Sequence, residues 1–191
     1  MDTERNIEFL EILKERLTEQ RLYHSICVAE KAKHLAEIFG GDPEKAYTAG
    51  LVHDIMRYEP AEKMLELIES DGQCLTESEK NITVTLHAIA GEVYLRKMLN
   101  VTDEEILSAV RWHTTGKENM SLLEKIIYVA DLTSDDREYP DVKEVRMMAE
   151  ESLEKTCIRG LSFTIEDNAR KHKPIHLDTV KAFNYLAERI K

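Results

Sequence analysis

Residues 51–57 read Leu51-Val52-His53-Asp54-Ile55-Met56-Arg57, which places a histidine and an aspartate side by side within an apolar run. Burying an ionised carboxylate costs far more than a hydrogen bond returns, unless a metal ion or another cation compensates its charge. A single His-Asp pair often arises by chance. Its meaning therefore depends on whether the rest of the chain supplies the partners that such a buried pair needs.

The sequence around this pair predicts helices. Glycine and proline are scarce, at 7 and 4 of 191 residues, and apolar residues recur every three or four positions rather than every two. A second helix is expected from about 18 to 39, ending at Gly40-Gly41. Asp42-Pro43 then has the pattern of an N-cap and first-turn proline for a third helix, which leads into His53-Asp54. The stripe expected on the first helix is Ile7, Leu10, Leu13 and Leu17.

The rest of the chain is also predicted to be helical. A short helix is expected between Pro60 and Asp71, and three sequences have the spacing of a capping box. By periodicity alone 122–130 could be a buried strand, but its capping signal favours a helix. We therefore predict a single all-α domain over residues 1–191. The three boxes are Thr76 to Glu79, Thr102 to Glu105 and Ser121 to Glu124, and the helices expected from them and after them are 76–99, 102–113, 121–131, 141–170 with a break, and 177–190.

Composition limits the classes of partner. The formal charge of −11 argues against nucleic acid or an anionic membrane, because both attract basic surfaces. No apolar run approaches the ~20 residues that span a bilayer, and the N-terminus shows neither the basic nor the apolar region of a signal peptide. Cys27, Cys74 and Cys157 are odd in number and form no CxxC motif, which is typical of a reduced, cytoplasmic protein.

Four histidines and two aspartates stand on apolar helix faces or at helix ends, where an isolated charge is unfavourable. Imidazole nitrogens and carboxylate oxygens together suit iron, manganese, cobalt or zinc, and a carboxylate can bridge two ions. Two ions held a few ångströms apart activate a water molecule and clamp phosphoryl oxygens for in-line attack. The six residues are His24, His53, Asp54, His87, His113 and Asp131.

Ordinary structural roles remain open for each of these residues taken alone. A lone histidine is more often a core or surface residue than a ligand, and Asp131 alone could be a helix-end residue or the partner of Arg137. His34, His172 and His176 are assigned to this ordinary class. The six residues together, in their order along the chain, favour a metal site.

That order, His…His-Asp…His…His…Asp, resembles the HD-domain metal-dependent phosphohydrolases. The shorter HD signature corresponds to His24, His53-Asp54 and Asp131, whereas His87 and His113 resemble the dinuclear subset. More specifically, residues of about 18–186 resemble the bacterial YqeK-like family of symmetrical diadenosine tetraphosphate hydrolases. The stretches that carry this resemblance are Arg21-x-x-His24, 49–55, His113-Thr114-Thr115-Gly116 and 120–131.

The resemblance implies a single HD-domain helical bundle with a dinuclear metal site between helices. It implies two divalent ions, with iron favoured over manganese, cobalt or zinc, and cleavage of diadenosine tetraphosphate at its central anhydride to give two ADP. Asp54 and His53 are the expected catalytic pair, with Asp54 bridging the ions. One ion would be held by His24, His53, Asp54 and Asp131, and the other by His87, His113 and Asp54.

Candidate phosphate contacts are arginines. Arg21 precedes His24 by three residues and so lies on its side of the helix, although a solvent-exposed arginine near a helix start explains it as well. Arg57 stands where the family usually has lysine, which keeps the charge but changes its geometry. Arg137 is carried over from the family, although its loop reads Ser134-Asp135-Asp136-Arg137 in place of a Pro-Gly-Arg pattern.

Thr114, Thr115 and Gly116 complete the candidate substrate contacts, through two hydroxyl groups and backbone N–H groups. A helix C-cap explains Gly116 equally well. The expected partner is a dinucleoside polyphosphate or a nucleotide such as an ADP- or GDP-like product, without nucleic acid or membrane, and a homodimer is compatible with the sequence. Two other functions stay open: another HD-domain nucleotidase or phosphodiesterase, and a non-catalytic nucleotide-binding HD module.

Overall fold

The protein, described as a computed structural model over residues 3–190, is built from α-helices as predicted. No strand occurs in this range, so the helical interpretation of residues 122–130 is confirmed. The helices are α1 (Thr3–Arg16), α2 (Glu19–Phe39), α3 (Pro43–Val52), α4 (Ala61–Ser70), α5 (Glu77–Asn81), α6 (Thr83–Met98), α7 (Glu104–Trp112), α8 (Leu122–Thr133), α9 (Val142–Glu151), α10 (Leu153–Arg170) and α11 (Leu177–Ala187).

Local sequence sets most of the helix ends. The Asp42 carboxylate accepts hydrogen bonds from two backbone N–H groups in the first turn of α3. Gly40 ends α2 with a φ of 72°, a left-handed conformation that glycine adopts without strain. The predicted capping box of Ser121 and Glu124 begins α8. The break expected between residues 141 and 170 falls at Ser152. These four predictions are confirmed.

The helix predicted over residues 76–99 is instead two helices. The capping box of Thr76 and Glu79 forms, but Ile82 leaves the helical conformation, with φ −92° and ψ 65°, between α5 and α6. All four residues from Ile82 to Thr85 are β-branched, and such side chains lose χ1 freedom in a helix. The prediction of one continuous helix is therefore wrong here.

Two further boundaries were also predicted wrongly. The box of Thr102 and Glu105 does not form, because Asp103 caps α7 by accepting hydrogen bonds from the N–H groups of Glu105 and Ile106. A carboxylate is favoured at this position by the positive end of the helix dipole. At the other end of the chain, α11 ends at Ala187 rather than at residue 190.

The buried face of α1 is rotated from the predicted stripe. Ile7 is 56% exposed, whereas Phe9 and Leu13 are buried. Asn6 shares this buried face and accepts a hydrogen bond of 2.9 Å from the Thr48 hydroxyl. The prediction that Ile7 belongs to the core is therefore wrong. The larger aromatic side chain of Phe9 is buried in its place.

Helices α2 and α3 pack closely at the centre of the bundle and carry the first histidines of the predicted site. A Cβ atom on Gly50 would lie 2.8 Å from the Ala29 Cα, so only glycine permits this approach. Of the face expected on α2, Val28, Ala32 and Leu35 are fully buried, whereas Phe39 is only partly buried. One hydrophobic cluster draws on helices from α1 to α11. Among residues 3–190, no helix is long and apolar enough to cross a membrane.

Candidate metal centre

His53 is fully buried at the C-terminal end of α3. Its Nδ1 atom lies 2.7 Å from the carbonyl oxygen of Gly50, to which Nδ1–H donates a hydrogen bond. In a neutral imidazole the other nitrogen then carries a lone pair. This Nε2 atom is buried and has no hydrogen-bond partner among the described residues.

The carboxylate of Asp54 faces histidines with both of its oxygens. Oδ2 lies 3.4 Å from His53 Nε2, whereas Oδ1 lies 3.0 Å from His87 Nε2 and 3.7 Å from His113 Nε2. Such a division is what a carboxylate that bridges two ions requires. Arg21 approaches from the Oδ2 side, with Nη1 at 2.9 Å.

His24 and Asp131 adjoin His53 from two other helices. The Oδ1 atom of Asp131 lies 3.0 Å from His24 Nε2 and 3.9 Å from His53 Nε2. Each of the three residues offers one ligand atom, and these atoms lie within 4.8 Å of one another. A single ion can therefore contact His24, His53 and Asp131 together.

His87 and His113 meet on the Oδ1 side of Asp54. Their Nε2 atoms lie 3.2 Å apart. The Nδ1–H of His113 donates to the Val110 carbonyl oxygen at 2.8 Å, which leaves Nε2 free to accept or to ligate. His53, Asp54 and His113 form a second group of ligand atoms within 4.8 Å. All six predicted ligands thus lie close together. His53 belongs to both groups, whereas the sequence predicted that it lies beside one ion only.

Both carboxylates of the cluster remain ionised despite their burial. Burial alone would raise the pKa of Asp54, but the neighbouring His53 and the contacts with His113 and His87 hold that pKa well below its usual range. Burial is likewise outweighed at Asp131, whose pKa is lowered by its contact with His24 and by the charge of Arg137. Burial lowers the pKa of His87 to about 4, so this ring is neutral at pH 7 and can offer an electron pair.

The cluster fits divalent ions because of the way its electron-rich atoms face one another. The His53 Nε2 atom lies 3.4 Å from a carboxylate oxygen of Asp54 and 3.9 Å from one of Asp131. Such atoms repel each other unless a proton or a cation lies among them. The set of imidazole nitrogens and carboxylate oxygens suits iron, manganese, cobalt or zinc.

The three predicted arginines contact different residues of this cluster. Arg57 Nη1 lies 3.2 Å from His87 Nδ1, whereas Arg21 contacts Asp54 Oδ2. Arg137 Nε donates to the Asp131 carbonyl oxygen at 2.7 Å, and its Nη2 donates to the Asp131 carboxylate. Three cationic side chains therefore stand within hydrogen-bonding distance of the proposed ligands.

A cavity of about 730 Å³ opens beside the cluster, and its lining includes the candidate ligands His113 and Asp131. Three of the predicted substrate contacts, Thr114, Thr115 and Arg137, also line it. The Thr114 hydroxyl is buried and has no hydrogen-bond partner among residues 3–190. Thr114 is therefore well suited to bind a ligand in the cavity.

Thr115 and Gly116 already have local partners. The Thr115 hydroxyl donates to the Gly116 carbonyl oxygen at 2.9 Å. Gly116 has a φ of 63°, and its N–H donates to the Trp112 carbonyl oxygen at 2.9 Å. Because α7 ends at Trp112 with His113 as its C-cap, Gly116 closes the turn after the helix rather than capping the helix itself.

Two residues at the site were not identified from the sequence. Asp136 lies within 2.7 Å of the His24 ring, and Arg146 donates to backbone carbonyls of the loop that holds Asp136. The sequence contained one signal for Asp136. It is an acidic residue five positions after the predicted ligand Asp131, in a stretch interpreted as a polar loop. His176, assigned to an ordinary role, caps α11 by accepting from the Asp178 N–H at 3.2 Å, and it also lines the cavity.

The fold and the cluster define the class of protein. An all-helical bundle brings together a histidine, a His-Asp pair and a late aspartate, and the chain matches the HD domain family over residues 21–136. The chain belongs to the HD-domain hydrolases.

Its relatives narrow this class. A protein of Halalkalibacterium halodurans named symmetrical bis(5'-nucleosyl)-tetraphosphatase is 38% identical over 93% of this chain and 94% of the relative. A Bacillus subtilis protein of the same name is 37% identical over 94% of this chain and 96% of its own length. A Clostridium acetobutylicum crystal structure, described as a predicted HD superfamily hydrolase involved in NAD metabolism, is 38% identical with a TM-score of 0.94, covering 96% of this chain and 97% of that one. Within the HD-domain hydrolases, this chain is thus a member of the same YqeK-like family as the two tetraphosphatases.

Proposed function

We propose that this chain hydrolyses diadenosine tetraphosphate at its central phosphoanhydride and releases two ADP. The observation that carries the proposal is the convergence of histidines on both carboxylate oxygens of Asp54, at 3.0 to 3.7 Å. Two-metal sites suit this reaction because they stabilise both the attacking and the leaving oxygen of an in-line displacement. Two relatives that match over nearly the full chain are named symmetrical bis(5'-nucleosyl)-tetraphosphatases, which supports a dinucleoside tetraphosphate substrate and symmetrical cleavage.

Two divalent ions would share Asp54 as a bridge. When bound, they would activate water and neutralise charge on the phosphoryl oxygens. The protein holds the Asp54 and Asp131 carboxylates ionised and turns the Nε2 atoms of its buried histidines toward them. One ion would be held by His24, His53, Asp54 and Asp131, and the other by His87, His113 and Asp54.

The arginines would bind the phosphates. The tetraphosphate is highly anionic and the protein carries a formal charge of −11, so local cations must outweigh the long-range repulsion. Arg21, Arg57 and Arg137 stand next to the proposed ligands. Each guanidinium group has five N–H donors, which lets it bind a phosphate while keeping a contact with the protein.

The cavity would accept one nucleoside of the substrate. Its volume of about 730 Å³ falls within the roughly 300–1,000 Å³ that is usual for small-molecule sites. Phe163 lines it and is 57% exposed, so its ring is free to stack on a base. Asn168 and Lys173 add polar groups to the lining, and Thr114 contributes its unpaired hydroxyl next to the metal ligands.

The metal, the cellular location, the domain organisation and the oligomeric state are proposed from the sequence. Iron is the favoured ion, with manganese, cobalt or zinc as alternatives. The enzyme would act in the cytoplasm, which the unpaired state of Cys27, Cys74 and Cys157 supports. A single domain over residues 1–191 is supported by the hydrophobic cluster that runs from α1 to α11. A homodimer stays a prediction.

The test is a chromatogram of products from diadenosine tetraphosphate, after chelation and reconstitution with ferrous iron, manganese or magnesium. We expect ADP alone, in a metal-dependent reaction that the Asp54→Asn variant does not perform. Diguanosine tetraphosphate, run in parallel, should give only GDP if the cavity accepts either purine. Equal amounts of AMP and ATP would contradict the proposed cleavage position.

The same experiment separates the alternatives. Rapid phosphate release from a mononucleotide, without turnover of the tetraphosphate, would favour another HD-domain nucleotidase. Protein purified without metal that gains no activity with any divalent ion would favour a non-catalytic nucleotide-binding module. The complete set of ligands argues for an enzyme, because a non-catalytic HD domain has no need to keep every ligand.

A further inference from the structure

His24 has a carboxylate at each of its ring nitrogens. Nε2 lies 3.0 Å from Asp131 Oδ1, on the side of the proposed metal centre. Nδ1 lies 2.7 Å from Asp136 Oδ2, on the other side of the ring. The His24 side chain is 4% exposed and the Asp136 side chain is 19% exposed, so water screens this second contact only weakly.

The two contacts cannot have the same role. The nitrogens of an imidazole point in divergent directions, so one ion cannot bind both. His24 Nε2 faces the ligand atoms of His53 and Asp131 and is the nitrogen placed to bind an ion. A neutral ring carries one proton, which must then sit on Nδ1, within hydrogen-bonding distance of Asp136.

We propose that Asp136 is a positioning residue of the metal centre: it accepts the Nδ1–H of His24, and so fixes the tautomer and ring orientation in which Nε2 binds metal. The inference rests on the proposed metal centre and adds to it a carboxylate that touches neither ion. A carboxylate in this position raises the basicity of the ligating histidine and costs metal affinity when it is lost.

The loop that carries Asp136 is held rigidly enough for this role. Arg146, on α9, donates hydrogen bonds to four carbonyl oxygens at the end of α8 and in the following loop, those of Thr133, Ser134, Asp135 and Arg137. The distances run from 2.7 Å, at Ser134, to 3.2 Å, at Asp135. One partly buried guanidinium thus holds the backbone on both sides of Asp136.

His24 differs in this respect from its neighbours. His53 and His113 each donate Nδ1–H to a backbone carbonyl three residues earlier, at 2.7 and 2.8 Å. Those partners cannot be removed by a side-chain substitution. For His24 the corresponding acceptor is the side chain of Asp136, which makes the orientation of this ligand open to mutational test.

The experiment compares cobalt binding by the full-length chain and three variants, after chelation, by titration of cobalt absorbance. Asp136→Ala removes the acceptor, Asp136→Asn keeps an acceptor oxygen without the charge, and Asp135→Ala is the matched control because Asp135 is exposed. We expect cobalt affinity to fall by about 10- to 100-fold in Asp136→Ala, to fall less in Asp136→Asn, and to stay unchanged in Asp135→Ala.

A second readout reports the tautomer itself. In zinc-loaded wild-type protein, the ¹⁵N spectrum should show His24 protonated at Nδ1, and the Asp136→Ala variant should lose this uniform state while keeping the wild-type thermal stability within a few degrees. If Asp136→Ala binds cobalt as tightly as Asp135→Ala, the positioning role is wrong while the metal centre stands. If the wild type binds no cobalt, both the metal centre and the role of Asp136 are overturned.

Discussion

Gly50 and His53 are joined by a hydrogen bond of 2.7 Å from the histidine Nδ1–H to the glycine carbonyl oxygen. The same glycine sits where α3 packs on α2, with the Ala29 Cα only 2.8 Å from the position of a Cβ atom. One residue therefore sets both the distance between two helices and the orientation of a proposed ligand. The packing of the bundle and the geometry of the site are coupled at this point.

Gly50→Ala should destabilise the protein, although alanine is the better helix former. Relief of the clash with backbone atoms of Ala29 should cost about 1–3 kcal/mol, which exceeds the gain of about 1 kcal/mol from helix propensity. Gly91→Ala is the matched control, because its Cβ would meet the Val110 side chain at 3.3 Å and no backbone atom closer than 3.9 Å. Urea unfolding measures both; a Gly50→Ala variant as stable as the wild type would contradict the close packing.

Arg57→Ala should weaken substrate binding without removing metal. Loss of a hydrogen bond to a charged group costs roughly 1.5–3 kcal/mol, so KM for diadenosine tetraphosphate should rise about ten- to hundredfold. Arg57→Lys should restore part of this loss, because the charge returns without the fork geometry. Lys63→Ala, at a side chain that is 68% exposed, is the control. If metal analysis showed that Arg57→Ala had lost metal, the main role of Arg57 would be to hold His87 rather than to bind substrate.

Phe163→Ala should reduce affinity for the nucleoside. Stacking of a base on an aromatic side chain contributes about 1–3 kcal/mol, so KM should rise by about 5- to 100-fold while metal content and kcat change little. Met147, also exposed but absent from the cavity lining, provides the control substitution Met147→Ala. Equal KM values for the two variants would place the nucleoside outside this cavity.

Metal-free protein should lose stability as the pH falls from about 6.5 to about 4. Unfolded histidine takes up a proton near pH 6.5, whereas burial lowers the pKa of His87 to about 4 in the fold. The unfolded state therefore binds more protons in this window, and the loss from His87 can reach about 3 kcal/mol. Burial also lowers the pKa of His176, which adds to the loss. The pKa of His53 is instead raised, so the stability that its protonation contributes is lost only as the pH rises above about 6.5.

Denaturant midpoints of the chelated protein across this pH range test the prediction. His87→Gln should show a shallower decline than the wild type, because its side chain has no proton to gain. His34→Gln is the control, since the His34 side chain is 50% exposed. Parallel profiles for wild type and His87→Gln would exclude a buried neutral His87.

The six candidate ligands could be chosen from the sequence because their chemistry is visible without coordinates. His53-Asp54 and Asp131 are polar residues in apolar helices, and burial of such groups needs an explanation that only a few site types provide. The structure brings all six candidates together, although their roles as ligands stay a prediction. Helix caps such as Asp42 were predictable for a similar reason, because they depend on neighbours in the sequence.

What the sequence did not yield depends on contacts between distant segments. Asp136 meets His24 across 112 positions of the chain, and nothing near either residue predicts that contact. The face of α1 was misjudged because the choice between Ile7 and Phe9 is made by the helices that pack on it. The break at Ile82 shows the same limit, since a β-branched run weakens a helix without fixing where it ends.

The central claim is that Asp54 joins two metal ions, and metal stoichiometry after reconstitution tests it most directly. Ferrous iron or manganese should bind at two ions per wild-type chain. Asp54→Ala, and the closer mimic Asp54→Asn, should lose both ions and all tetraphosphatase activity, whereas Arg57→Ala should retain two. A wild-type chain that binds no ion or only one, or an Asp54→Ala variant that keeps two, would contradict the account.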